Sequence, residues 1–174
     1  MIIGEKVNIR AVERDDLPRY VRWFNDSEVR ENLAMFYPMS LAEEEKWFED
    51  KILKRDETSK TFAIETKDGV HIGGTGLHSI NWKDRNAEFG IFIGEKSYWN
   101  KGYGTDATKT IVKFAFEEMN LARVYLRVYD DNPRAIRVYE KAGFEREGLL
   151  RKHTFRKGCY SDVIIMGILN PNIK

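Results

Sequence analysis

The sequence predicts the α+β class: a central sheet flanked by helices in a sandwich-like arrangement. Segments of alternating apolar and polar residues, as half-buried strands have, are interleaved with segments of helical period. Three strand-like runs, 61–66, 70–80 and 85–93, follow one another, with Asp68-Gly69 a strong hairpin signal between the first two, so they form an antiparallel meander. A chain of 174 residues is long enough to bury a real core, and one domain over residues 1–174 is the expectation.

The elements follow in order. Val7, Ile9 and Ala11 alternate with polar residues, which reads as a first strand. Leu17, Tyr20, Val21 and Phe24 fall at helical spacing behind acidic capping candidates, so a helix follows. Ser40 and Glu43 fit a capping box ahead of a helix whose apolar residues are Leu41, Trp47, Phe48 and Ile52. After the meander, Ala107, Ile111, Val112, Ala115 and Phe116 recur at helical intervals, and residues 122–129 are strand-like. Asn132 as N-cap, Pro133 in the first helical position and Gly143 beyond the end delimit a short helix. A closing hairpin turns at Lys157-Gly158-Cys159. No repeat or linker interrupts the chain.

Composition narrows the function. Hydrophobic residues make up 42% and charged residues 33%, with a formal net charge of +1, so no bulk preference for nucleic acid or a membrane surface arises. Cys159 is the only cysteine, which rules out an internal disulfide and a cysteine-rich metal site and suggests a reducing compartment. Glu5 and Lys6 interrupt the start before a signal-length apolar run, and no segment approaches the ~20 apolar residues of a membrane span. A cytoplasmic location, no membrane partner, no nucleic-acid partner and no metal are expected.

The stretch Asn100 to Ala107, N-K-G-Y-G-T-D-A, carries the strongest chemical signal. It opens a long helix, whose first N–H groups lack intrahelical partners and whose dipole favours negative charge. Gly102 and Gly104 allow close backbone approach and Lys101 adds a cation, so a phosphorylated ligand is the physical expectation. It is not a Walker loop, because Gly104 precedes Thr105-Asp106 instead of Lys-Ser/Thr. A dinucleotide fold fits poorly too: residues separate the preceding strand from the first glycine, and Arg123-Val124 stand where an acid should bind ribose.

Three motifs in order, A-E-F-G-I-F-I from Ala87, Y-W-N-K-G-Y-G-T-D-A from Tyr98 and N-P-R-A-I-R-V-Y-E-K-A-G-F from Asn132, resemble the GCN5-related N-acetyltransferases. Within that family they are similar to the branch of ribosomal-protein and polyamine acetyltransferases, over nearly the whole chain. The resemblance implies a mixed, mostly antiparallel sheet in which two strands splay apart, with acetyl-CoA as cosubstrate. The glycine loop, Asn100, Lys101, Gly102, Tyr103, Gly104 and Thr105, would take the pyrophosphate, and Ile91, Phe92 and Ile93 the pantetheine arm. On the later helix, Asn132, Ala135, Ile136, Tyr139 and Lys141 would complete the coenzyme site. Many relatives have glutamine or arginine where Asn100 stands, so a side-chain contact there does not carry over.

Acetyl transfer to an amine by direct attack in a ternary complex needs a neutral nitrogen and a proton for the departing thiolate. An alkyl amine near pKa ~10.4 and a thiol near ~8.5 are both mismatched to neutral pH, so a base and an acid are useful. Tyr139 is the acid candidate: with Asn132 and Ile136 it falls on one helical face, and the resemblance puts a thiolate-protonating tyrosine there. Without the flanking motifs it would read as a packed tyrosine. Glu88 lies on the strand face of Gly90 and Phe92, where it could accept the amine proton or form a cross-strand ion pair; both readings stay open. His71 and His78 are secondary base candidates, and Cys159 lacks a motif.

The resemblance places the acceptor between the early helical segment and the closing hairpin. Glu28 and Glu31 are the substrate-binding candidates, near Asp26, Met35, Phe36 and Tyr37, and the tail adds Arg151, Lys152, Arg156 and Lys157. The leading expectation is an acetyl-CoA-dependent N-acetyltransferase acting on a protein or peptide N-terminus, with a polyamine as the alternative acceptor. A coenzyme A-binding sensor without turnover is the non-enzyme alternative. A homodimer is left open.

Overall fold

The computed structural model describes residues 1–173. Eight strands form one sheet: β1 Ile2–Ile3, β2 Val7–Ala11, β3 Lys60–Thr66, β4 His71–Asn81, β5 Asn86–Ile93, β6 Arg123–Tyr129, β7 Glu145–Arg156 and β8 Cys159–Leu169. Their order across the sheet is β1-β2-β3-β4-β5-β6-β8-β7. The helices are α1 Leu17–Asn25, α2 Ser27–Arg30, α3 Leu41–Trp47, α4 Tyr103–Glu117 and α5 Pro133–Ala142.

Every neighbouring pair is antiparallel except β5 and β6. Parallel neighbours need a long crossover, and α4 lies within it. The β5–β6 register runs only through Asn86↔Arg123, Ala87↔Val124 and Glu88↔Tyr125. Past Glu88, β5 continues to Ile93 paired with β4 alone, while β6 continues to Tyr129 paired with β8 alone. The sheet therefore forks, as the splay implied by the family resemblance requires.

Strand alternation divides the core between the two faces. Val7, Ile9, Ile64, Leu77, Phe89, Val124 and Leu126 pack with Ile111 and Ala115 of α4 and Ile136 and Tyr139 of α5. Val12, Leu17, Tyr20, Trp23, Val29, Phe48 and Ala63 form a second cluster joined by Phe92. Central strands covered on both faces explain why Ala63 and its neighbour Ile64 are both wholly buried.

Local chemistry sets the helix ends. Asn132 Oδ1 accepts the Ala135 N–H at 3.1 Å, Pro133 takes the first position, and Gly143 ends α5 at φ 99°. The Ser40/Glu43 capping box forms, with Ser40 Oγ accepting from Glu43 N at 3.2 Å and Glu43 Oε2 accepting from Ser40 N at 2.9 Å. The helix after it departs from expectation. It widens to π geometry over Phe48–Leu53, Leu41 is 44% exposed, and Glu44 is buried instead. Leu41 occupies the first helical position, outside the packed turn, and Phe48, four residues after the buried Glu44, follows it onto the inward face.

One strand lies outside the expected set, and an expected helical segment and an expected hairpin arm differ in extent. β1 has only two residues, α2 has four and is capped by Asp26, and β7 has twelve. β7 begins well before the expected hairpin arm because most of its side chains are exposed and show no alternation to read.

Candidate active site

The glycine loop lies where the fork opens. Asn100 and Gly102 both have left-handed backbones, φ 59° and 88°, which glycine adopts without cost and asparagine tolerates best among side-chain-bearing residues. Gly102 is the N-cap of α4 and no side chain caps this fifteen-residue helix, so its terminal N–H groups stay available to a ligand. A Cβ on Gly104 would meet only Ile93 Cγ1 at 3.9 Å; the protein alone does not demand glycine there, whereas a ligand lying against the backbone would.

A different residue fastens the loop. Asp106, in the first turn of α4, accepts three backbone N–H bonds from the turn before β2: Glu5 at 3.2 Å, Lys6 at 2.8 Å and Val7 at 3.0 Å. Lys6 Nζ then donates to the Lys101 carbonyl at 3.1 Å.

A cavity of about 560 Å³ runs from this loop through the fork. Of the coenzyme candidates, Ile91, Phe92, Ile93, Asn100, Gly102, Tyr103, Gly104, Thr105, Asn132, Ala135, Tyr139 and Lys141 line it. Lys101 and Ile136 do not: Lys101 contributes its carbonyl to Lys6, and Ile136 turns into the core. Sequence reasoning passed over Arg134 and Arg137, which also line the cavity, as does Trp99. The Arg134 guanidinium stacks on Trp99 at 4.1 Å from the ring centre. The spacing of Arg134, Arg137 and Lys141, three then four residues, is the signal of one cationic helix face. An uncapped helix start, a glycine backbone and three cations fit a coenzyme carrying several phosphates.

Tyr139 and Glu88 line the same cavity. The Tyr139 ring is 8% exposed and meets Phe89 edge-on at 6.3 Å. Its burial pushes the phenol up to about 12, so the hydroxyl keeps its proton at neutral pH. Glu88 stands at the last paired position before the fork and accepts two bonds from Arg127 of β6, Nε to Oε1 at 2.7 Å and Nη2 to Oε2 at 3.0 Å. The cross-strand ion pair expected as one reading of Glu88 is present, and the residue lines the cavity as well.

The histidines are held elsewhere. His71 is 3% exposed; its Nε2 meets the Gly73 carbonyl at 3.0 Å, and its Nδ1 approaches Asp16 at 2.9 Å without hydrogen-bond alignment. His78 pairs with Ser59 Oγ at 2.9 Å, and burial lowers its pKa against the opposing pull of Glu88. Neither lines the cavity.

Glu28 and Glu31 also lie outside it. Lys96 Nζ bridges Asp26 at 2.9 Å and Glu28 at 2.8 Å, and Lys157 pairs with Glu31. The two glutamates border an adjoining depression with Phe36, Arg156 and Lys157, which shares Leu33, Ala34, Tyr129 and Thr154 with the cavity. The early segment reaches the main cavity instead through Val29, Asn32, Leu33 and Ala34, facing Tyr129, His153 and Thr154.

A forked sheet with a phosphate-competent loop at one side and a protonated phenol and a carboxylate within defines an acyl-transfer site built for a coenzyme thioester. Residues 6–145 match the family model described as acetyltransferase (GNAT) domain, and the chain belongs to that family. It is an acetyl-CoA-dependent N-acetyltransferase, an acyltransferase. The chain is 35% identical over 165 residues to the spermidine N(1)-acetyltransferase of Escherichia coli K12, covering 95% of this chain and 87% of the relative. It is 29% identical over 167 residues to the SPbeta prophage-derived uncharacterized N-acetyltransferase YokL of Bacillus subtilis, covering 95% and 90%. The crystal structure of spermidine N-acetyltransferase from Vibrio cholerae in complex with CoA and spermine superposes with a TM-score of 0.89, at 31% identity and 95% and 96% coverage.

Proposed function

We propose that this single-domain enzyme acetylates a primary amine of an aliphatic polyamine, with Tyr139 as general acid and Glu88 as the carboxylate that receives the amine proton. The observation that carries the site assignment is that both residues line one cavity with the glycine loop and the β5 arm of the fork. Likeness to two spermidine acetyltransferases over about the whole chain supports the polyamine ahead of the peptide N-terminus that leads on sequence grounds. Glu28 and Glu31 do not line the cavity but border an adjoining depression that shares Leu33, Ala34, Tyr129 and Thr154 with it, so in this reading they flank the acceptor's seat.

Bound in the cavity, acetyl-CoA supplies an acetyl thioester. The chain's own groups do the rest. The first N–H groups of α4 with Arg134, Arg137 and Lys141 would hold the phosphates, and Ile91, Phe92 and Ile93 would align the arm. Glu88 would take the amine proton, directly or through water, freeing the nitrogen lone pair for the carbonyl carbon. Tyr139 would give its proton to the leaving sulfur, a transfer favoured because a thiolate in a buried site is costly.

Thiol release from acetyl-CoA is to be measured with spermidine, spermine, N-terminal peptides and aminoglycosides. Turnover of the polyamines above the other amines is expected. Turnover of peptides alone would overturn the polyamine reading, and thiol release with none of these amines would favour the coenzyme-binding sensor.

A further inference from the structure

Charge around the cavity is lopsided. Among the described residues that line it, Glu88 is the one carboxylate, against Arg127, Arg134, Arg137 and Lys141. The α5 cations face the part of the cavity suited to phosphates. Arg127 does not: it lies on β6 beyond the fork, and its guanidinium engages both oxygens of Glu88. The pair is unequal in exposure. Glu88 is 18% exposed in its side chain and Arg127 51%, so the carboxylate is hemmed in while the guanidinium has room to swing toward solvent.

A cationic amine that is to reach Glu88 therefore meets a cation already in place. We propose that Arg127 is a placeholder for the acceptor's ammonium, which displaces its guanidinium from Glu88 as the amine binds. Until then the arginine keeps a half-buried carboxylate paired, avoiding the cost of an uncompensated charge in the wall of the cavity. The exchange of one cation for another leaves the charge at Glu88 balanced, and the competition sets a threshold: a weakly held monoamine does not dislodge Arg127, while an amine with further contacts along the cavity does. Arg127 is in this sense a specificity-determining residue, and the inference rests on the reading that the acceptor is a cationic alkylamine.

The test compares wild type with Arg127→Gln and Arg127→Lys by steady-state kinetics at low ionic strength, with coenzyme A affinity measured beside them. Removing the competitor is expected to lower KM for spermidine about three- to ten-fold, the size of one modest charge interaction, and to lower KM for a simple monoamine such as propylamine by at least as much. Arg127→Lys, which keeps the charge, should return KM toward wild type. A residue that merely buttressed the fork would do the reverse, raising KM or weakening coenzyme affinity when lost. If Arg127→Gln melts early, Arg127→Met keeps the aliphatic stem and gives the same comparison. An unchanged or raised KM in a variant that melts and binds coenzyme A as wild type does overturns the proposal. If wild type acetylates peptides and no polyamine, the polyamine reading fails on its own; the same KM comparison on the peptide amine then decides the placeholder role, since that ammonium carries the same charge.

Discussion

The roles proposed for Tyr139 and Glu88 can be separated by what each would do with a proton. Tyr139→Phe keeps the ring against Phe89 and removes only the hydroxyl, so kcat is expected to fall on the order of 10²-fold while acetyl-CoA affinity stays close to wild type. Unchanged turnover at saturating amine, with chemistry limiting, would remove Tyr139 from the mechanism. The phenol, raised from 10.0 to about 12 by burial, stays protonated through neutral pH. By linkage, the stability it contributes is fully present below pH 10 and is lost as pH rises through 12. A loss of kcat below pH 10 therefore originates in another group. Glu88→Gln should move the pH needed for activity upward, because the amine must then lose its proton without help, and a profile superimposable on wild type would make this carboxylate structural. The sequence singled out both residues as candidates through their motifs. It could not disclose Arg127, whose partner sits 39 residues earlier on a strand adjacent only through the parallel crossover.

Two helical elements carry predictions of their own. At the start of α4, Gly104→Ala should fold normally, since its new Cβ would touch only Ile93, whereas Gly104→Val should fill the space beside the backbone and abolish the rise in melting temperature given by acetyl-CoA. A Gly104→Val protein that binds coenzyme A normally would show that this backbone is not the phosphate cradle. In α3, burial alone pushes the Glu44 carboxyl up to about 7. A carboxyl whose folded pKa lies above its unfolded one stabilises fully below the unfolded value, and the benefit is lost as pH rises through the folded value. The melting temperature of wild type should thus drop between pH 5 and pH 8 by more than that of Glu44→Gln. Equal drops would place the carboxyl in contact with water. The capping box at Ser40 and Glu43 was legible because it is local chemistry. The π turn at Phe48–Leu53 was not, because no local residue pattern marks it; Phe48 and Trp47 pack there in one cluster with Tyr20.

For the whole molecule, the meander, the crossover helix and the well-capped α5 could be read from period and turn residues, and they place β5 and β6 on either side of the cavity. The fork itself could not be read from alternation, since β5 keeps its strand pattern through Ile93 while losing its β6 neighbour after Glu88; family resemblance alone supplied it. Acetyl-CoA bridging the two arms should raise the melting temperature of the protein by mass action, with a dependence on ligand concentration.

The Asp106 carboxylate binds the N-terminal turn to the helix that begins at the glycine loop, so the amides of Lys6 and Val7 record the state of a site formed about a hundred residues later. Their deuterium uptake gives a clock for coenzyme residence. Opening of the first turn of α4 frees these amides to exchange, and an occupied loop should slow that exchange, whereas the exposed hairpin tip at Gly158 should exchange at the same rate with or without coenzyme.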